Sequence, residues 1–177
     1  MRRLRPVAVG ALLGAAIVLA GCSGTPAATT TTPAASPTAS ASASATPAML
    51  TCENMIPAAT VTAYRSAHWT ATPGPLYVGD TRVDKGLQCT WGGRSGEGGE
   101  IFGRGAIDAT TAKDAERQLV AQGWRRIDSP EGVYITAGQD MILNPDDQGY
   151  GMTYLFSDGW VKVASTKQGI LLIADPS

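Results

Sequence analysis

The residues of this 177-residue chain whose types could carry chemistry are few: three cysteines (Cys22, Cys52, Cys89), one histidine (His68) and a scattered set of carboxylates. The cysteines contain no C-x-x-C pair, and His68 is the sole imidazole, so neither a zinc site nor a hydrolytic triad can be assembled from the usual parts. Glu53, Glu97, Glu100, Glu116 and Glu131 could supply two carboxylates for glycoside cleavage, but any acidic protein offers such pairs. Asp140, Asn144, Asp146 and Asp147 could ligate calcium, yet their spacing departs from the D-x-[DN]-x-[DN]-G loop. The glycine-rich stretch 92–105 lacks G-x-x-x-x-G-K-[ST], and Gly103-Arg104-Gly105-Ala106-Ile107-Asp108 has Asp where a dinucleotide fingerprint needs its last glycine. Gly93-Arg94-Ser95-Gly96 is followed by Glu97 and makes no nucleophile elbow. No catalytic residue, metal ligand or cofactor motif emerges. Trp91, two residues from Cys89, reads as core. Trp69 and Tyr77 flank a Pro/Gly-rich stretch and are candidate contacts for a sugar or an apolar ligand.

Composition changes sharply along the chain. Arg2, Arg3 and Arg5 precede Val7–Ala20, an uncharged run of 14 residues with five Ala and two Gly. That is shorter than the ~20 residues a membrane-spanning helix needs, and it suits the apolar region of a cleaved signal peptide. Leu19-Ala20-Gly21-Cys22 then resembles the bacterial lipobox at all four positions. The resemblance implies a diacylglyceryl group on Cys22 and cleavage before it, so 1–21 is expected to be a signal peptide. Arg2-Arg3 directly follows Met1, without the polar residue that precedes a twin-arginine pair, and Sec-type export is expected.

Residues 22–48 are almost wholly Ala, Ser, Thr and Pro. Such a stretch cannot bury enough apolar surface to offset its ordering entropy and is expected to be a disordered tether. Its 26 residues beyond Cys22 would span roughly 30 Å as a flexible coil. Residues 50–177 have ordinary globular composition and are expected to form one domain. Eleven basic and fifteen acidic side chains follow the leader, a balance of −4. This argues against a nucleic-acid partner, which needs a net basic face.

With lipid on Cys22, the other two cysteines become an even pair in an oxidising compartment. A Cys52–Cys89 disulfide is the default expectation, closing a loop of 38 residues.

The elements that must position these residues read as follows. Pro57 suits the first turn of a helix running to about Ser66. Residues 70–86, with Thr-Pro-Gly-Pro, read as loop. Leu87–Trp91 and Glu100–Ile107 alternate and read as a hairpin about a turn at 92–99. Thr111–Gln122 is the clearest helix, capped by Asp108 or Thr110 and closed by Gly123, with Ala112, Ala115, Leu119 and Val120 on one face. Short strands are expected at 124–127, 132–136 and 140–143, with a turn at 144–149. Met152–Phe156 and Trp160–Ala164 flank Asp158-Gly159, a type I′ turn signal. Ile170–Ala174 reads as a last strand. The expected class is α+β: an antiparallel sheet of short hairpin strands on one main helix, stapled by one disulfide.

Cys52-Glu53-Asn54-Met55-Ile56-Pro57, Leu87-Gln88-Cys89-Thr90-Trp91-Gly92 and Gly123-Trp124, behind a lipobox and tether, resemble small, mostly uncharacterised lipoproteins of actinobacteria. In these a first Cys before a helix pairs with a Cys-x-Trp strand. Some relatives are folded like sensor domains of bacterial Ser/Thr kinases or like the α+β sandwich of photosystem accessory proteins. The family has no catalytic residues to carry over. The resemblance implies a protein held to the extracytoplasmic face of the cell membrane by lipid on Cys22. Its expected role is a non-enzymatic binding or protein-interaction module of the cell envelope, its partner an envelope protein or small ligand. A carboxylate hydrolase of cell-wall polymer and a calcium-stabilised structural lipoprotein are the alternatives.

Overall fold

A computed structural model describes residues 49–93 and 99–175. The expected leader, the Cys22 anchor, the tether and the hairpin tip at 94–98 lie outside the described residues. Seven antiparallel strands form one sheet: β1 (Thr70–Val78), β2 (Thr81–Gly92), β3 (Gly99–Ala106), β4 (Arg125–Ser129), β5 (Gly132–Thr136), β6 (Thr153–Ser157) and β7 (Trp160–Ala164). Their spatial order is β1-β2-β3-β7-β6-β5-β4. Four helices accompany them: α1 (Cys52–Met55), α2 (Ala58–Ser66), α3 (Ala109–Ala121) and α4 (Lys167–Ile170). No helix among the described residues is long and apolar enough to cross a membrane.

The antiparallel sheet and the disulfide are as expected, but the sheet dominates, both its faces are covered, and among the described residues four helices stand where one main helix was expected. Alternation along the central strands explains why. In β6, Leu155 enters one apolar cluster while Tyr154 and Phe156 enter the other. The first cluster gathers Met55, Ile56 and Val61 with Cys89, Trp91, Phe102 and Ile170, so α1, α2 and α4 lie on that side. The second gathers Ala112, Ala115 and Leu119 of α3 with Ile135, Val161 and Val163. Val120, expected on the buried face of α3, is 44% exposed, because the buried stripe follows the 112, 115, 119 spacing.

Cys52 opens α1 and Cys89 sits in β2; their disulfide, with Cα atoms 5.6 Å apart, ties the helical layer to the sheet. Thr51 and Asn54 cap α1 reciprocally. Asp108 caps α3, its carboxylate accepting from the Thr110 and Thr111 amides at 3.0 Å. The Thr111 hydroxyl and amide hold that carboxyl below its usual range.

Residues 70–86 are not loop. They form β1 and much of β2, a long hairpin at the sheet edge. Pro73 and Pro75 are tolerated there because an edge strand has no further partner needing their N–H groups, and prolines on an edge also discourage pairing with other chains. The hairpin bends sharply. Pro75 pairs with Leu87 while Leu76 pairs with Val83, so residues 84–86 have no partner on β1. The bend lays Leu76, Val78 and Val83 against the α3 cluster, where Gln118 Nε2 donates to Asp80 Oδ2 at 3.0 Å. Gly105 permits this close crossing: a Cβ there would lie 2.6 Å from Gly86 Cα and 2.8 Å from Val83 Cγ1.

Two other expected strands are absent. Residues 139–141 form a single 3₁₀ turn. Ile170–Ala174 closes α4 and runs on irregularly, because Thr166 caps the turn through the Gly169 amide and buries Ile170 and Ile173 three residues apart. The segment after α4 is strapped down from three sides. Lys162 Nζ donates to Ile173 O at 2.8 Å and Asp175 Oδ1 at 2.7 Å, Arg104 donates to the carbonyls of Ala174 and Asp175, and the Ala174 amide donates to Met55 O.

Candidate functional site

At one end of the sheet the strands stop at different heights. Phe102 pairs with Ala164, the last residue of β7, so Gly99–Ile101 of β3 stand beyond any β7 partner. Ser165 closes the gap in part: its Oγ accepts from the Ile101 amide at 2.7 Å and its own amide donates to Ile101 O. The notch that remains is an open groove of about 360 Å³. Trp69, Glu100, Ile101, Met141, Leu143 and Met152 are among its walls, and Asn144, Ser165 and Thr166 add polar groups.

Trp69 owes its position to the end of α2. After Ala67, His68 adopts φ 61°, and the chain reverses. The Trp69 amide donates to Tyr64 O at 2.9 Å and the His68 amide to Arg65 O at 3.0 Å, the two hydrogen bonds of a Schellman ending. The apolar contact that accompanies this ending is the stack of Trp69 on Tyr64, ring centroids 5.1 Å apart. Tyr64 in turn meets Trp91 at 5.4 Å and Phe102 at 6.4 Å, so the groove wall is rooted in the core. Burial pushes the Tyr64 hydroxyl above its usual pKa, and the charge of Glu100 pushes it the same way. His68 acts as a backbone pivot here.

The opposite wall is the segment from Gly138 to Gly151. Its base is closed by the Ala137 amide donating to Met152 O at 2.8 Å. Asp146 fixes its interior: Oδ1 accepts from the amides of Gln148 and Tyr150, and Oδ2 from that of Gln168 in α4. The Tyr150 ring has Arg125 at 5.2 Å and Lys167 at 4.9 Å from its centroid. Asp146 thus serves as a backbone clamp, and among the described residues no group of three or more His, Cys, Asp or Glu is placed to hold a metal ion. The clamp leaves Leu143 92% and Met141 40% exposed on the rim. These two side chains add apolar surface to the edge of the groove.

A second depression runs between α3 and the β4–β5 hairpin. Its larger part, about 750 Å³, is lined by Lys113, Glu116, Arg117, Val120, Ala121, Arg126 and Val133. A smaller part of about 310 Å³ adds Glu131 and Asp158. Three carboxylates, Glu116, Glu131 and Asp158, thus line one depression, and the first two are engaged. Glu116 is ion-paired with Arg126, which also holds Asp128. Glu131 accepts from the Ser129 hydroxyl, which holds its carboxyl below the usual range. A general acid needs the opposite shift. Glu53 pairs with Arg65 at 3.4 Å. Glu97 lies outside the described residues.

The structure separates the two aromatic residues singled out in the sequence. Trp69 lines the groove at the start of β1. Tyr77 is 43% exposed near the other end of that strand, and it does not line the groove. Trp91 is buried in the core close to the disulfide, its indole nitrogen without a hydrogen-bond partner among the described residues. Sequence reasoning missed Met141 and Leu143 as rim residues. The available signal was Met141-Ile142-Leu143 itself, three consecutive apolar residues ahead of Asn144-Pro145, too short for a buried strand between such breakers.

No protein-family model, no curated protein and no solved structure matches this chain.

Proposed function

We propose that this chain is an exported lipoprotein, held to the extracytoplasmic face of the cell membrane by lipid on Cys22. The domain beyond its tether is a non-enzymatic binding module. The observation that carries the binding half is the groove at the notched end of the sheet. It has one aromatic wall stacked on the core, one apolar rim held out by Asp146, and no paired acid and base. The anchoring half rests on Leu19-Ala20-Gly21-Cys22 and on the fact that Cys52 and Cys89 pair with each other, which leaves Cys22 as the odd thiol. A buried disulfide suits an oxidising compartment outside the cytoplasm.

The carboxylate-hydrolase reading gains no support from the α3–β4 depression, where Glu116 is ion-paired and Glu131 is biased toward its charged form. The calcium reading gains none from Asp146, whose oxygens are already spent on three backbone amides.

The test uses the full chain expressed in a bacterium that processes lipoproteins. The wild type is expected in the membrane pellet and released by detergent. Cys22→Ser is expected to lose lipid and leave the pellet after processing, or to persist as uncleaved precursor. A wild-type chain that is soluble without detergent would reject the anchor. For the binding half, a fragment set is titrated into the Cys22→Ser mature chain and followed by backbone NMR. Shifts clustered on Trp69, Ile101 and 141–144 are expected; their absence would reject the groove as a binding site.

A further inference from the structure

We propose that the Trp69 groove selects ligands that join an apolar body to a cationic group, with Trp69 and the Met141–Leu143 rim taking the body and Glu100 supplying the counter-charge. This rests on the reading of the groove as a ligand site and adds the chemistry of what it takes.

Charge on the walls decides the class. Glu100 is the one charged side chain among the described lining residues, and it forms no ion pair with a described residue. The remaining walls are apolar or carry neutral amide and hydroxyl groups. The α3–β4 depression is the opposite case: Lys113, Arg117 and Arg126 line its larger part, and the one carboxylate there, Glu116, is ion-paired with Arg126. A carboxylate with no ion pair to a described residue and an indole ring on the walls of one groove offer a cation an ion pair and a cation–π contact, and the carboxylate repels an anion. The aromatic wall is pre-organised. Trp69 is fixed by the Schellman ending of α2 and by its stack on Tyr64, so little side-chain freedom is lost when a ligand arrives. At about 360 Å³ the groove fits a small molecule.

The test uses three isosteric probes that differ in charge: 3-phenylpropylammonium, 3-phenylpropan-1-ol and 3-phenylpropionate. Each is titrated into the oxidised Cys22→Ser mature chain while the Trp69 indole N–H and the amides of 141–144 are followed by NMR. The ammonium is expected to bind about fivefold more tightly than the alcohol, the scale of one exposed ion pair or cation–π contact. The carboxylate is expected to bind more weakly than the alcohol. Added salt should shrink the difference. Glu100→Gln should bring the ammonium to the level of the alcohol. Leu143→Ser, on the exposed rim where folding is not at stake, should weaken all three.

Equal binding of the three probes in the groove would overturn the charge selectivity and leave the binding-module reading standing. Failure of all three to move any groove resonance would overturn both. Shifts from the ammonium that survive Glu100→Gln in full would overturn the role of Glu100.

Discussion

Reducing the Cys52–Cys89 disulfide should remove a large part of the domain's stability. The two cysteines are 37 residues apart. In the chain-entropy model, opening a loop of that length frees the unfolded chain by about 4 kcal/mol at 25 °C. The bond also has a mechanical task, since Cys52 begins the helical layer and Cys89 lies in β2 beneath Trp91. A domain of this size has a total stability of roughly 5–15 kcal/mol, so the loss would be a large fraction of it. For a folded segment of about 130 residues it corresponds to a fall in Tm of about 15 °C. In urea, with a slope of about 1.5 kcal/mol per M, the midpoint should fall by about 2.5 M. The assay is urea unfolding followed by tryptophan fluorescence, with and without a phosphine reductant. Both sulfurs are buried, Cys52 at 5% and Cys89 at 0% exposure, so reduction must be done in denaturant before refolding. A reduced protein whose midpoint stays within about 0.5 M of the oxidised one, well inside the shift expected at that slope, would refute the assignment of a stabilising role.

Three further outcomes are expected. His68→Gly should raise stability by about 0.5 kcal/mol net, because a left-handed φ costs a side-chain-bearing residue about 1 kcal/mol and glycine regains part of that after its own entropy loss; a Tm that falls would contradict the pivot at 61°. Gly105→Ala should cost about 2 kcal/mol or more by urea midpoint, since its Cβ meets the Gly86 backbone across the bend, and a neutral result would mean the hairpin does not fold over as described. Lys162 holds the Asp175 carboxyl below its usual pKa, first by hydrogen bond and then by charge. A lowered carboxylate pKa adds stability above the unfolded value near 4 and loses it as pH falls through the folded value. Asp175→Asn should therefore flatten the decline of Tm below about pH 4, and an unchanged acid limb would remove this contact from the account.

What the sequence disclosed follows from whether the signal was local. Asp158-Gly159 marks the β6–β7 turn by itself, although only Gly159 takes a positive φ, of 77°, where the expected type I′ turn needs two. Gly123 announces the end of α3, and the arithmetic of three cysteines leads to the disulfide. The same Schellman ending at His68-Trp69 was hidden, because its left-handed residue is histidine and not glycine. The stretch 70–86 reads as loop because Pro73, Gly74 and Pro75 mark turns in isolation, whereas at a sheet edge the missing proline N–H groups cost nothing. Ile170–Ala174 is too short to distinguish a period of two from one of 3.6, and only the burial of residues 170 and 173 reveals the turn. The groove was half legible. Trp69 stood out as a large aromatic residue near Pro and Gly, but the notch behind it arises from the relative heights of β3 and β7. The pairing of Tyr77 with Trp69 failed because β1 is a strand and carries them to opposite ends.

The most direct test of the account is the intact mass of the protein extracted with detergent from the membranes of its producing cell. The account expects a chain beginning at Cys22, heavier by a diacylglyceryl group on that residue, and lighter by two hydrogens for the Cys52–Cys89 bond. A chain that retains residues 1–21, or carries a free thiol at Cys22, would contradict it.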